Sequence, residues 1–103
     1  MSEETTPMSA QKKMAVLRVL DTGIVMIHCD PRHEGVGLPD FLKSDPIVRL
    51  NFAYGFRLPS FEVDDDAISA VLNFNGHKTY CVIPWESIFA ITAPEKEHRG
   101  WFW

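Results

Sequence analysis

Apolar residues fall into short runs parted by proline, glycine and acidic turns, and their spacing predicts one helix followed by strands. Residues 7–22 read as the helix. Pro7 suits a first helical position, with Ser9 as an alternative cap. Ala10, Met14, Leu17 and Leu20 recur at helical spacing, Val16 and Val19 widen the stripe, and Gly23 is a left-handed stop. A helix this apolar has to cover a sheet or meet a second copy of itself.

Residues 24–29 open with four consecutive apolar side chains and read as a strand. A long connection, 30–46, follows, punctuated by Pro31, Gly35, Gly37, Pro39 and Pro46. Within it Val36, Leu38, Phe41 and Leu42 are too apolar for a solvated loop, so they are expected to pack on the core or on a ligand. Residues 47–53 alternate, with Val48, Leu50 and Phe52 on one side and Ile47, Arg49 and Asn51 on the other, as a strand with one buried face does. A connection at 54–60, a short strand at 61–63 and an acidic turn at Asp64, Asp65 and Asp66 come next.

The clearest local signal is Asn75-Gly76 between two apolar runs, 68–74 and 77–83, which predicts a two-residue hairpin. Such a turn pairs Phe74 with His77, Leu72 with Thr79, Ala70 with Cys81 and Ile68 with Ile83 on one face. Val71, Tyr80 and Val82 lie on the other. Pro84 ends that strand, 85–87 turns, and 88–92 is a last apolar strand before a polar tail ending in Trp101-Phe102-Trp103. The expected organisation is a disordered 1–6, one mainly β (α+β) domain at 7–93, and a C-terminal tail at 94–103.

Composition narrows the function classes. The 103 residues are 46% hydrophobic and 23% charged, a globular balance, and the formal net charge is −4. The ten Lys and Arg are scattered, which argues against a nucleic-acid binder. Cys29 and Cys81 sit inside strand-like runs and read as buried, reduced thiols of a cytoplasmic protein. The polar, acidic start is unlike a signal peptide, and no apolar run approaches the ~20 residues that span a bilayer.

Candidate chemistry is thin. His28, Asp30 and His33 are ligand types, but Pro31 breaks the strand between them, so no metal site is expected. Three adjacent aspartates on an extended chain point in alternating directions and do not converge. Gly35-Val36-Gly37 lacks the further glycine or lysine of a phosphate loop. Cys81 and His77 share a strand face but lie about 13 Å apart by strand rise, too far for a nucleophile–base pair. No catalytic residue, metal or cofactor is expected. What remains is apolar surface: seven Phe, three Trp and two Tyr cannot all be buried in so small a chain, and exposed aromatic clusters mark binding sites.

The stretch 35–92 resembles the stringent starvation protein B (SspB) family. Gly35-Val36-Gly37-Leu38-Pro39 is similar to the turn after that family's first strand, and Ile47-Val48-Arg49-Leu50-Asn51 to its second strand. Asp65-Asp66 with Ile68 opens the hairpin, and Phe74-Asn75-Gly76 resembles its Phe-Gly-Gly turn. Val82-Ile83-Pro84 followed by Ile88-Phe89-Ala90-Ile91 is similar to its Val-Pro step and closing strand. The resemblance implies a bent β-meander, an open barrel or two packed sheets, with an N-terminal helix mediating a homodimer. It implies a cytoplasmic, non-enzymatic adaptor that binds the ssrA degradation tag, a small, acidic peptide with one aromatic residue, and delivers tagged proteins to ClpX of the ClpXP protease. By position the peptide groove would be lined by Leu38, Pro39, Phe41, Leu42, Ala70, Leu72 and Phe74, about half of them touching peptide. Family members carry a long tail ending in a ClpX-docking motif. This chain stops at Trp103, and Arg99 with Trp101 to Trp103 is the candidate for a rudimentary dock. The alternative from another class is an Sm-like small β-barrel that binds RNA.

Overall fold

A computed structural model describes residues 7–97 and 99–103; the segment 1–6, expected to be disordered, lies outside the described residues. Among the described residues one helix, α1 (Met8–Leu20), precedes seven strands. These are β1 (Val25–Cys29), β2 (Val48–Phe52), β3 (Glu62–Val63), β4 (Ala67–Phe74), β5 (His77–Pro84), β6 (Ile88–Ala93) and β7 (Arg99–Phe102). They form two antiparallel sheets, one ordered β2-β1-β6-β7 and the other β3-β4-β5. Consecutive strands pair except at β2 to β3, where the chain passes to the second sheet, and at β5 to β6, where it returns to lie beside β1. The architecture is mainly β, an α+β fold of one helix and two packed sheets, and among the described residues the strands close no barrel.

Alternation decides what faces the core. β1 buries Val25, Ile27 and Cys29, each opposite a buried residue of β2: Phe52, Leu50 and Val48. The second sheet adds Ile68, Ala70, Leu72, Cys81 and Ile83, all part of the same core cluster. The β4–β5 register is the one the Asn-Gly turn dictates, Phe74 opposite His77 through Ile68 opposite Ile83. Asn75 (φ 55°) and Gly76 (φ 92°) are both left-handed, the conformation a two-residue hairpin needs, and the Asn73 side-chain oxygen accepts the Gly76 N–H at 2.7 Å.

Two expectations are corrected. The buried face of α1 is Lys12, Ala15, Val16, Val19 and Leu20, whereas Met14 is 57% exposed and Ala10 and Leu17 are only partly covered. Apolar residues surround so much of this helix that spacing alone does not select the face; tertiary contacts with Trp85 and β6 do. Lys12 fits the buried face because its stem is apolar and its amine donates to the Trp85 carbonyl at 2.8 Å, 5.8 Å from the Trp103 ring centre. Burial lowers its pKa, opposed by nearby Glu86. Pro7 caps the helix from just outside it.

Nor does the tail stay apart. Residues 94–96 form one 3-10 turn, and β7 then pairs along β6, with Ile91 opposite Trp101 and the Trp103 N–H donating to Phe89 at 2.7 Å. Trp101 and Trp103 pack partly buried against the core, and Phe102 is left 74% exposed.

Candidate functional site

The loop 30–46 is laid against the second sheet by a single bridge. Gly37 donates to the Val82 carbonyl at 2.9 Å and accepts the Val82 N–H at 3.1 Å, so the loop starts a new row on the outer edge of β5. Gly35 takes φ 89°, which brings the chain over Pro84. Leu38 then turns inward, Pro39 caps the 3-10 turn Asp40–Leu42, and backbone bonds from Leu42 to Pro39 (3.0 Å) and from Lys43 to Asp40 (3.0 Å) hold that turn.

This geometry divides the seven expected groove residues. Leu38 (6% exposed), Ala70 (0%) and Leu72 (8%) belong to the core cluster and present little surface to a ligand. Pro39, Leu42 and Phe74 are partly buried, and Phe41 is 62% exposed. The structure does bring the two phenylalanines together: the Phe41 and Phe74 rings meet edge to face, centroids 5.9 Å apart at 82°. They form an apolar lip over the inner face of the hairpin.

A second exposed aromatic set lies in and beside 54–60, a stretch whose sequence predicts only a connection. Phe61 stacks on buried Phe52 at 5.7 Å and lies 6.1 Å from the ring of Tyr54. Tyr54 and Phe56 are both exposed on a turn whose last residue, Arg57, is left-handed at φ 53°. The signal that could have found them is compositional. Neither 46–61 nor 67–85 contains a carboxylate, although the whole chain has 14 Asp and Glu, and Arg49, Arg57 and Lys78 lie in these stretches.

A comparison with protein-family models finds none that matches the chain, and a comparison with curated proteins finds no match either.

The candidate metal ligands go separate ways. His28 Nε2 is 3.1 Å from the Thr92 hydroxyl, His33 Nδ1 is 2.9 Å from the Glu34 carbonyl, and Asp30 pairs with Arg32 at 3.1 Å. Among the described residues no three His, Cys, Asp or Glu side chains cluster to hold an ion. Asp64 turns inward on its own turn, accepting the N–H groups of Asp66 (2.8 Å) and Ala67 (2.9 Å), and those bonds hold its carboxyl below the usual range.

Both thiols are free and buried. Burial, assisted by Asp30, pushes Cys29 up to about 12. Burial also raises Cys81, against a backbone hydrogen bond at Leu72. Each is therefore overwhelmingly protonated at neutral pH and a poor nucleophile. His77 lies on the exposed surface.

At the far end, a cleft of about 620 Å³ lies between α1 and β7, lined by Arg18, Thr22, Glu95, Arg99 and Trp101 among others. It shares Arg18 and Trp101 with a neighbouring hollow floored by Met14 and Trp103, so the two make one furrow along the open side of the helix. Among the described residues no helix is long and apolar enough to cross a membrane.

Proposed function

We propose that this chain is a non-enzymatic adaptor of the SspB kind, which binds the ssrA degradation tag and delivers tagged proteins to ClpX of the ClpXP protease in the cytoplasm. The observation that carries the reading is the edge-to-face pair of exposed Phe41 and partly buried Phe74, beside a hairpin free of carboxylates. An acidic peptide with one aromatic side chain matches both properties: its ring has an apolar seat, and its charges meet no like charge on the hairpin. Phe41, Phe74, Leu42 and Pro39 are the peptide-contacting residues in this reading. Leu38, Ala70 and Leu72 support them from below. High thiol pKa values favour binding over cysteine chemistry. The exposed Met8 and Met14 on the open side of α1 suit a helix-mediated homodimer.

The test is fluorescence anisotropy of a labelled ssrA-tag peptide against a scrambled one. Micromolar or tighter binding of the true tag alone is expected; equal or absent binding of both refutes the adaptor. One observation favours a second reading, an Sm-like RNA-binding module. Tyr54 and Phe56 stand exposed beside Arg57 in an acid-free stretch, as a base-stacking platform would. A gel shift with short single-stranded RNA separates the two readings.

A further inference from the structure

The Gly37–Val82 bridge has an unfinished continuation. Side chains and backbone groups alternate along a strand, so the residues whose N–H and C=O face the same edge as those of Val82 are Tyr80 and Lys78. The intervening residues and His77 turn theirs toward β4, as the Phe74–His77 hairpin pair requires. In the antiparallel row that Gly37 begins, Pro39 would come opposite Tyr80. Proline has no N–H to donate, and the chain leaves the edge there for its 3-10 turn. Among the described residues nothing bonds the outward backbone groups of Tyr80 or Lys78. Two strand steps of β5 therefore stand open directly after a bridge that already sets the row's direction and spacing.

We infer that this edge takes the backbone of an extended acidic peptide as an added antiparallel strand, in the row that Gly37 begins and Pro39 abandons. The inference rests on the peptide-binding reading above and specifies how the peptide is held. An added strand gains its grip from main-chain bonds and its selectivity from alternate side chains. Those pointing to the inner face approach Phe74 and Phe41. Those pointing to the outer face meet Lys78 and Tyr80, both exposed. Charge names the occupant. The β4–β5 hairpin carries Lys78 and no carboxylate, in a chain of net charge −4, and the nearest acid on the loop beside it is the exposed Asp40 next to Phe41. A lysine on a free edge also deters pairing with a second copy of that edge while admitting an acidic strand.

The experiment uses the ssrA-tag peptide and versions of it singly N-methylated along the backbone, titrated against the full chain by anisotropy. Amide exchange of Tyr80 and Lys78 is followed by NMR in the same samples. The expected result is a period of two: methylation at alternate peptide positions weakens binding tenfold or more, methylation between them does little, and the Tyr80 and Lys78 amides slow at least tenfold on saturation. Lys78→Glu is expected to weaken the unmethylated peptide several-fold. If the parent peptide binds but the methyl scan is flat and both amides exchange as before, strand addition is overturned while the peptide reading stands. If the parent peptide does not bind, both fall together.

Discussion

The ring of Phe41 meets that of Phe74 edge to face, with centroids 5.9 Å apart, across the join between a loop and a hairpin 33 positions further along the chain. Phe41 is mostly exposed, so its truncation removes little core packing. Phe41→Ala is expected to weaken tag-peptide binding about tenfold or more, as loss of an aromatic anchor does, with melting temperature nearly unchanged. Anisotropy and a thermal melt on one sample check this. Unchanged affinity would remove the lip from the site.

Lys12 reaches the Trp85 carbonyl through the helix–sheet interface at 2.8 Å. Lys12→Met keeps an apolar stem of similar length but leaves that carbonyl without its donor. A loss of about 1–3 kcal/mol in unfolding free energy is expected, the cost of an unsatisfied buried acceptor. Urea denaturation measures it. A variant as stable as the parent would mean the bond contributes nothing net.

Gly100 lies opposite Thr92 where β7 pairs with β6, and a Cβ there would sit 2.9 Å from the Ile91 carbonyl oxygen and 2.9 Å from Thr92 Cγ2. The first of these is backbone and cannot swing aside. Gly100→Ala should therefore loosen β7 and expose Trp101, costing about 1–3 kcal/mol as overpacking does. A red shift in tryptophan emission together with a lower melting temperature is the expected signature.

His28 is held below its ordinary pKa by burial and then by Arg49, so the unfolded chain binds its proton more readily than the folded one. Stability on this account is intact above the ordinary histidine pKa and is lost as pH falls through and below it. Melting temperature is expected to decline between pH 7 and pH 5, and His28→Gln should flatten that decline. Asp30 and Asp64, both held low, act only in more acidic solution, where protonation removes the bonds they accept. An identical pH profile for parent and variant would clear His28 of any part in the decline.

Strand content and hairpin register were legible because adjacent residues encode them. Asn75-Gly76 admits one two-residue turn, and once the turn is set every pair from Phe74–His77 to Ile68–Ile83 follows. The alternation of Val48, Leu50 and Phe52 named the buried face of β2 for the same reason. The candidate site was half legible. Sequence marked the segment around Leu38 to Leu42 as too apolar for solvent, yet Leu38 went into the core and Phe41 out to the surface.

That division is a matter of distant partners. Leu38 is buried because the Gly37–Val82 bridge swings it inward, and no local pattern announces a single bridge. The face of α1 was decided by Trp85 and β6, and β7 exists because β6 offers a free edge to a segment that looks polar by itself. Backbone alternation and turn chemistry act over a few residues, so the sequence alone determined them. Burial depends on what the rest of the chain brings alongside, and only the tertiary structure decided that.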